Sequence, residues 1–313
     1  MLTVLAGGVG ASRFLQGLAS VVNESEITVI SNTADDVEMF GLHVQPDVDI
    51  VMYALAGAVN PETGWGLEGD TLNVVQALQR YGYPGWFNLG DRDLATAIHR
   101  TRLKRDGWQL HEIVEDIAAA WGLGVTMLPM SNEPIATRIV GPDGEIAFQD
   151  YMVRLKTGLE VRDVRFDGVE QARPAPGVLD AIRGAEAVIV APSNPFVSVG
   201  PILAVPGVRE ALRTTDAVRV AISPIVAGNV VKGPAAQMLQ SLGHEVSALA
   251  VARLYRDVLD LMVIDEQDRE LQPAVEELGL ACHVTDTMMV SPERKAALAS
   301  ATLSAARQYA AAQ

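Results

Sequence analysis

The sequence predicts an α/β protein, a Rossmann-like doubly wound, mostly parallel sheet carrying a small α+β insertion domain. Three observations point there. Apolar, β-branched runs recur along the chain and end abruptly in polar loops, and continuous rather than alternating apolarity marks strands buried on both faces. Helical patterns separate the runs, and strand–loop–helix in repetition builds a parallel sheet. The first run opens into a glycine-rich turn and then a helix, VLAGGVGASRFL at 4–15, the layout that seats a phosphate on a helix N-terminus.

In chain order, the strand-like runs are 2–6 before GGVG, 27–31 before NTADD, 187–191 before PSNP, 218–222 before SPIV and 246–250 before ARLY. Helical patterns cover 69–81, 110–121 and 233–242. The middle differs: alternating stretches flank the turn GPDG at 141–144, with Tyr151, Val153, Leu155 and Val161 following. This predicts an insertion subdomain at 137–173 and a nucleotide-binding α/β core made of 1–136 and 174–313, with parallel character resuming at Val178. The Ala-rich tail from Pro292 reads as a surface helix or the packing helix of a homodimer.

With 313 residues, 49% of them hydrophobic, the chain can bury a sizeable core. Its 39 Asp and Glu against 24 Lys and Arg leave a net charge of −15, which argues against a nucleic-acid partner. A phosphate bound by so acidic a protein needs backbone dipoles, a few placed cations or a metal ion. No apolar segment approaches the roughly 20 residues of a membrane span, so a cytoplasmic protein without a membrane partner is expected. The single cysteine, Cys282, excludes an internal disulfide framework and reads as a buried small residue. Five histidines (43, 99, 111, 244 and 283) are scattered and receive no catalytic role.

Function in doubly wound sheets concentrates at the carboxyl ends of strands, and there the polar clusters fall. In the first loop Gly8 and Gly10 permit close backbone approach, but Arg13 stands where a dinucleotide fingerprint needs its third glycine. In SNTADD (31–36), Asp35 and Asp36 suit either metal ligation or helix capping. Asp47 and Asp49 in PDVDIVMYALAG would face one way if extended, with Asp49 a candidate N-cap, and oxygen ligands of this sort suit Mg2+. GWFNLGDRDLAT (85–96) places Asp91, Arg92 and Asp93 between a strand-like segment and a helix, with Arg92 able to clamp an anion. Ser193, Asn194 and Lys232 add polar groups and a cation along the same rim.

Taken in order, GGVGASRF, SNTADD, PDVDIVMYALAG, GWFNLGDRDLAT, APSNPFVSVGPIL and VAISPIVAGNVVKGP resemble the 2-phospho-L-lactate transferase family of coenzyme F-420 biosynthesis. The resemblance implies transfer of a phospho-hydroxyacid group (phospholactyl, phosphoenolpyruvyl or phosphoglyceryl) from a guanylyl diphosphate donor to the deazaflavin Fo, with Mg2+ and release of GMP. It implies catalytic and Fo-binding roles for Asp49 and Arg92. Gly8, Gly10, Arg13, Asn32, Thr33, Ser193, Asn194 and Lys232 fall to the nucleotide, and Asp49, Asp35 and Asp36 to the metal. Three departures from the family pattern, at 11–13, Asn132 and Arg253, are expected near the donor's hydroxyacid. A nicotinamide-dependent oxidoreductase and a non-catalytic GDP-binding protein are the alternatives. The missing glycine and the paired acids after the second strand count against the former.

Overall fold

The computed structural model describes residues 1–313 except 84, 231 and 232. Its strands in chain order are β1 (Leu2–Ala6), β2 (Ile27–Ser31), β3 (Val37–Met39), β4 (Leu42–Val44), β5 (Thr126–Pro129), β6 (Ala136–Gly141) and β7 (Gly144–Ala147). Then come β8 (Asp163–Asp167), β9 (Ala187–Val190), β10 (Val218–Ile222), β11 (Ile225–Val226), β12 (Asn229–Val230), β13 (Leu261–Asp265) and β14 (Ala281–Thr285). Seven of them form one parallel sheet in the order β14-β13-β10-β9-β1-β2-β5. The chain builds outward from β1 to β5, then returns to lay β9 along the other side of β1 and builds outward again. The strand order therefore reverses between β1 and β9, where a crevice opens above the carboxyl ends.

The α-helices that precede β5 are α1 (Gly8–Val21), α2 (Pro46–Leu55), α3 (Asn73–Leu78), α4 (Asp91–Arg105) and α5 (Leu110–Ala120). Alternate residues of each central strand serve opposite faces. Val4 and Ala6 join Phe14, Leu15 and Leu18 of α1 and Leu298 of the last helix, whereas Leu5 joins Val199, Ile202 and Leu203. A separate antiparallel sheet, β7-β6-β8, packs Ile139, Phe148, Tyr151 and Val161 against Val197 and Met238. A further small core under β3, β4, α3 and α4 gathers Met39, Val44, Val75, Phe87, Leu89 and Leu94.

Several sequence expectations are corrected. The run 246–250 is not a strand: Ser247 caps a helix, Ala248–Tyr255, its Oγ accepting from the Ala250 N–H at 3.1 Å, and the alanines favour that helix. Residues 150–154 form one wide helical turn that buries Tyr151 rather than continuing the alternation. The helical pattern at 69–81 narrows to α3 and one tight turn, because Asp70 and Thr71 turn aside to hold the start of α4. Residues 85–90 are loop, not strand. Cys282 lies half-buried on the edge strand β14, where burial pushes its thiol up to about 12. Among the described residues no helix is long and apolar enough to cross a membrane.

The tail helix, Pro292–Ala312, lies against α1 within the chain and buries Leu298, Ala299, Thr302 and Leu303. The two helices meet at Gly17, where an added Cβ would stand 2.2 Å from the Lys295 carbonyl oxygen. Helix propensity alone would make Gly17→Ala stabilising by roughly 1 kcal/mol. The clash reverses the sign: the substitution should destabilise by about 2–3 kcal/mol in urea unfolding.

Candidate functional site

A cavity of about 450 Å3 opens above the carboxyl ends of β1 and β9. Its polar end is built by backbone contact. Gly8, at φ +71, turns the chain into α1, and a Cβ on Gly10 would lie 1.9 Å from the Pro192 carbonyl oxygen, so only glycine lets these loops touch. Ser193 Oγ donates to the Gly7 carbonyl at 2.9 Å and ties the loops together. Asp47, at the start of α2, sits against this turn: a Cβ on Gly7 would be 2.6 Å from its Oδ2. Asn32 Nδ2 donates to that same oxygen at 2.9 Å and to the Val197 carbonyl at 3.1 Å.

The opposite end is apolar, walled by Ile50, Tyr53, Trp65, Phe87, Leu89 and Met152, with Asp49 and Asp93 as its charged members. Asp49 is not alone. Arg100, fully buried on the inner side of α4, forks onto both its carboxylate oxygens, Nη1 reaching Oδ2 at 3.1 Å. Burial works against the Arg100 charge, but Asp49 outweighs it and raises its pKa. Burial likewise raises Asp49 itself, with Arg100 opposing. Burial and then the charge of Asp49 push Asp93 up to about 6.

The sequence-derived candidates distribute unevenly. Gly8, Gly10, Arg13, Asp35, Asp49, Ser193 and Asn194 line the cavity. Asn32 and Thr33 are buried beneath it, Asn32 spending its amide on Asp47, Val197 and the Ala34 N–H. Arg92 does not line the cavity; it is exposed and donates to the Glu68 carbonyl at 2.9 Å. Lys232 lies outside the described residues. Asp49 is not an N-cap but sits inside α2, and helical rather than extended backbone sends Asp47 and Asp49 to different partners. Of the three departures, only the first reaches the cavity, through Arg13. Asn132 instead accepts from the His111 N–H at the start of α5, and Arg253 is exposed on its helix.

The expected metal set Asp35, Asp36 and Asp49 does not assemble. Asp36 accepts from Gln45 Nε2 at 2.7 Å and pairs with His43 Nε2 at 2.8 Å, and Asp49 belongs to Arg100. No cluster of three or more His, Cys, Asp and Glu able to cage a metal occurs among the described residues. What remains is a pair. Asp35 Oδ1 is buried without a hydrogen-bond partner, and burial, then the charge of Asp47, holds Asp35 well above the ordinary carboxylate range. Burial pushes Asp47 up to about 6, against the Asn32 hydrogen bond. Two underneutralised carboxylates at a phosphate-sized loop fit Mg2+, which takes one or two protein carboxylates and completes its shell with water and substrate phosphates.

Sequence reading missed Arg100 and Tyr53, and took Asp93 only as a neighbour of Arg92. The basic run HRTRLKR reads as a solvated helix end, yet Asp93, Thr96 and Arg100 are spaced to share one face of α4, and that spacing was the available signal.

Comparison with known proteins decides the family. The family model for 2-phospho-L-lactate transferase CofD matches residues 2–301. The chain belongs to the CofD family. It is 44% identical over 313 residues to the phosphoenolpyruvate transferase of Streptomyces griseus, with 98% of each chain covered. Against the 2-phospho-L-lactate transferase of Methanothermobacter thermautotrophicus identity is 43% over 289 residues, 92% of each. A crystal structure of a UPF0052 family protein from Bacillus halodurans shares the fold, at TM-score 0.59 and 19% identity over 91% of each chain. This CofD protein is thus a transferase of the 2-phospho-L-lactate transferase type, and the nicotinamide reading falls away.

The geometry makes two stability predictions. Arg100→Met should cost about 3–5 kcal/mol because it strands a buried carboxylate, and adding Asp49→Asn should recover part of that loss in a double-mutant unfolding cycle. For Asp93, the folded pKa of about 6 exceeds the unfolded value of about 4. Its protonation therefore supports folding fully below about pH 4 and ceases to as pH rises through about 6. Asp93→Asn should stabilise the ligand-free protein by about 1–2 kcal/mol at pH 8, with the gain gone at pH 4.

Proposed function

We propose that this CofD-family transferase moves a phospho-hydroxyacid group from a guanylyl diphosphate donor to the terminal hydroxyl of the deazaflavin Fo, releasing GMP in coenzyme F-420 biosynthesis. One observation carries the reading: a single cavity has a glycine-loop end suited to phosphates and an aromatic end suited to a flat ring, so two substrates can meet end to end. The acceptor oxygen bonds to the phosphorus bearing the hydroxyacid, the bond from that phosphorus to the bridging oxygen breaks so that GMP leaves with that oxygen, and the hydroxyl proton passes to water. Catalysis of this kind is mostly positioning and charge neutralisation.

Each part of the chain has a task in that arrangement. Backbone N–H groups of the first loop receive phosphate oxygens. Arg13 is the only basic side chain lining the cavity among the described residues and has no hydrogen-bond or ion-pair partner there, so its guanidinium is free for the donor's phosphate or carboxylate oxygens. Asp35 and Asp47 would hold Mg2+, whose charge offsets that of the diphosphate. Asp49, held in place by the Arg100 fork, accepts a hydrogen bond from the acceptor hydroxyl and orients it. Arg92, exposed at the start of α4 and bonded to the Glu68 carbonyl, would have to release that carbonyl to reach Fo.

Purified protein given Mg2+, Fo and each of the three candidate donors should release GMP, and the product mass identifies the hydroxyacid. Absence of GMP with every donor overturns the reading, and a preference for NADH over GDP in direct titration counts against it. Asp47→Asn and Asp35→Asn should each lower kcat by about 100-fold or more, the scale of losing one electrostatic contact to the transition state. Arg13→Met should raise the donor KM by about tenfold, the size of one charge-assisted hydrogen bond, and leave the Fo KM unchanged.

A further inference from the structure

The transfer chemistry leaves one cavity carboxylate without a task. Asp93 lines the apolar end with Tyr53, Trp65, Phe87 and Leu89, an aromatic and aliphatic wall suited to a planar ligand. Its Oδ2 receives one long hydrogen bond, from the Gly90 N–H at 3.3 Å. The Tyr53 phenol lies 3.0 Å from Thr96 Oγ1 and also hydrogen-bonds Asp93. A carboxylate offers about four acceptor positions, so this one keeps acceptor capacity to spare toward the cavity. Opposite it, Gly66 leaves space: a Cβ there would stand 3.8 Å from Asp93 Oδ2.

A hydrogen-bond acceptor in an apolar slot rejects ligands that present another acceptor and favours those that present a donor. We propose that Asp93 is a specificity-determining residue for the acceptor, taking an N–H donor on the edge of its flat heterocycle. This role rests on Fo being the acceptor. In Fo that donor is the imide N–H of the pyrimidinedione, and the ring would lie with this edge on α4 while its side chain runs toward Asp49 and the glycine loop. Recognition here is separate from turnover: Asp93 reads the ring, and the groups at the glycine loop act on the phosphate.

Titration calorimetry of the intact protein with Fo and with Fo methylated on the imide nitrogen tests this. The unmodified protein should bind Fo about tenfold or more tightly than the methylated compound, the discrimination expected of a site built around a ligand N–H. Asp93→Leu should bind Fo about tenfold more weakly and treat both compounds alike. Asp93→Asn, which keeps an acceptor oxygen, should retain part of the preference, and neither variant should move the donor KM by more than about twofold. A merely structural Asp93 would weaken both compounds equally and preserve their ratio, which overturns the proposal. Failure of the unmodified protein to bind Fo overturns the acceptor reading together with this one. Binding of Fo without discrimination overturns this one alone.

Discussion

Everything at the site depends on one close approach, the backbone of Gly10 against the carbonyl of Pro192. It occurs where the strand order reverses, so it joins the first loop of one half of the sheet to the first loop of the other. With any side chain at Gly10 the loops would separate, and Ser193 would lose the Gly7 carbonyl that fixes their relative height. Asp47 and Asn32 are keyed to the same junction, from α2 and from the end of β2. The polar end of the cavity is thus assembled from four separate chain segments held by contacts shorter than a side chain.

Electrostatics then sets the terms of binding. Four carboxylates, Asp35, Asp47, Asp49 and Asp93, face the cavity, and among the described residues only Arg13 answers them from its wall. Arg100 neutralises Asp49 from behind, which makes that pair a fixed dipole rather than a free charge. Burial raises all four, with Arg100 opposing it at Asp49, and the other three store free energy that a cation, a hydrogen-bond donor or a proton can release. Ordinary folding would not retain such groups; a site that must take up charged and hydrogen-bonding ligands does.

The sequence made the parallel sheet legible because buried strands are written as uninterrupted apolar runs, and β1, β2, β9 and β10 fall where those runs do. It failed at 246–250, where a short apolar run fits a strand or a helix and the Ser247 cap with the alanines decides for helix. At the site, loop chemistry after strands was readable, since Gly8, Gly10, Ser193 and Asn194 all reach the cavity. Partnership was not. That Asp49 belongs to Arg100 and Asp36 to His43 depends on how α4 and the β3–β4 ribbon pack, and pairings 51 and 7 residues apart leave no local trace. For the same reason Asp47, two residues from the expected Asp49, is the carboxylate left at the glycine loop.

The placement of β1 has a further consequence for how the molecule comes into being. β1 is an interior strand, with Leu2 to Leu5 paired on one side to β2 and on the other to β9, whose first residue is Ala187. On a chain emerging from the ribosome, β2 can dock early, but the second edge of β1 stays bare until the chain has been made past Ala187. That edge is apolar and presents unpaired backbone N–H and C=O groups, the kind that recruits other strands. Since the same missing strand brings Pro192 and Ser193, the nascent chain carries an open sheet edge and an unfinished pocket for the same interval, and both close in one event.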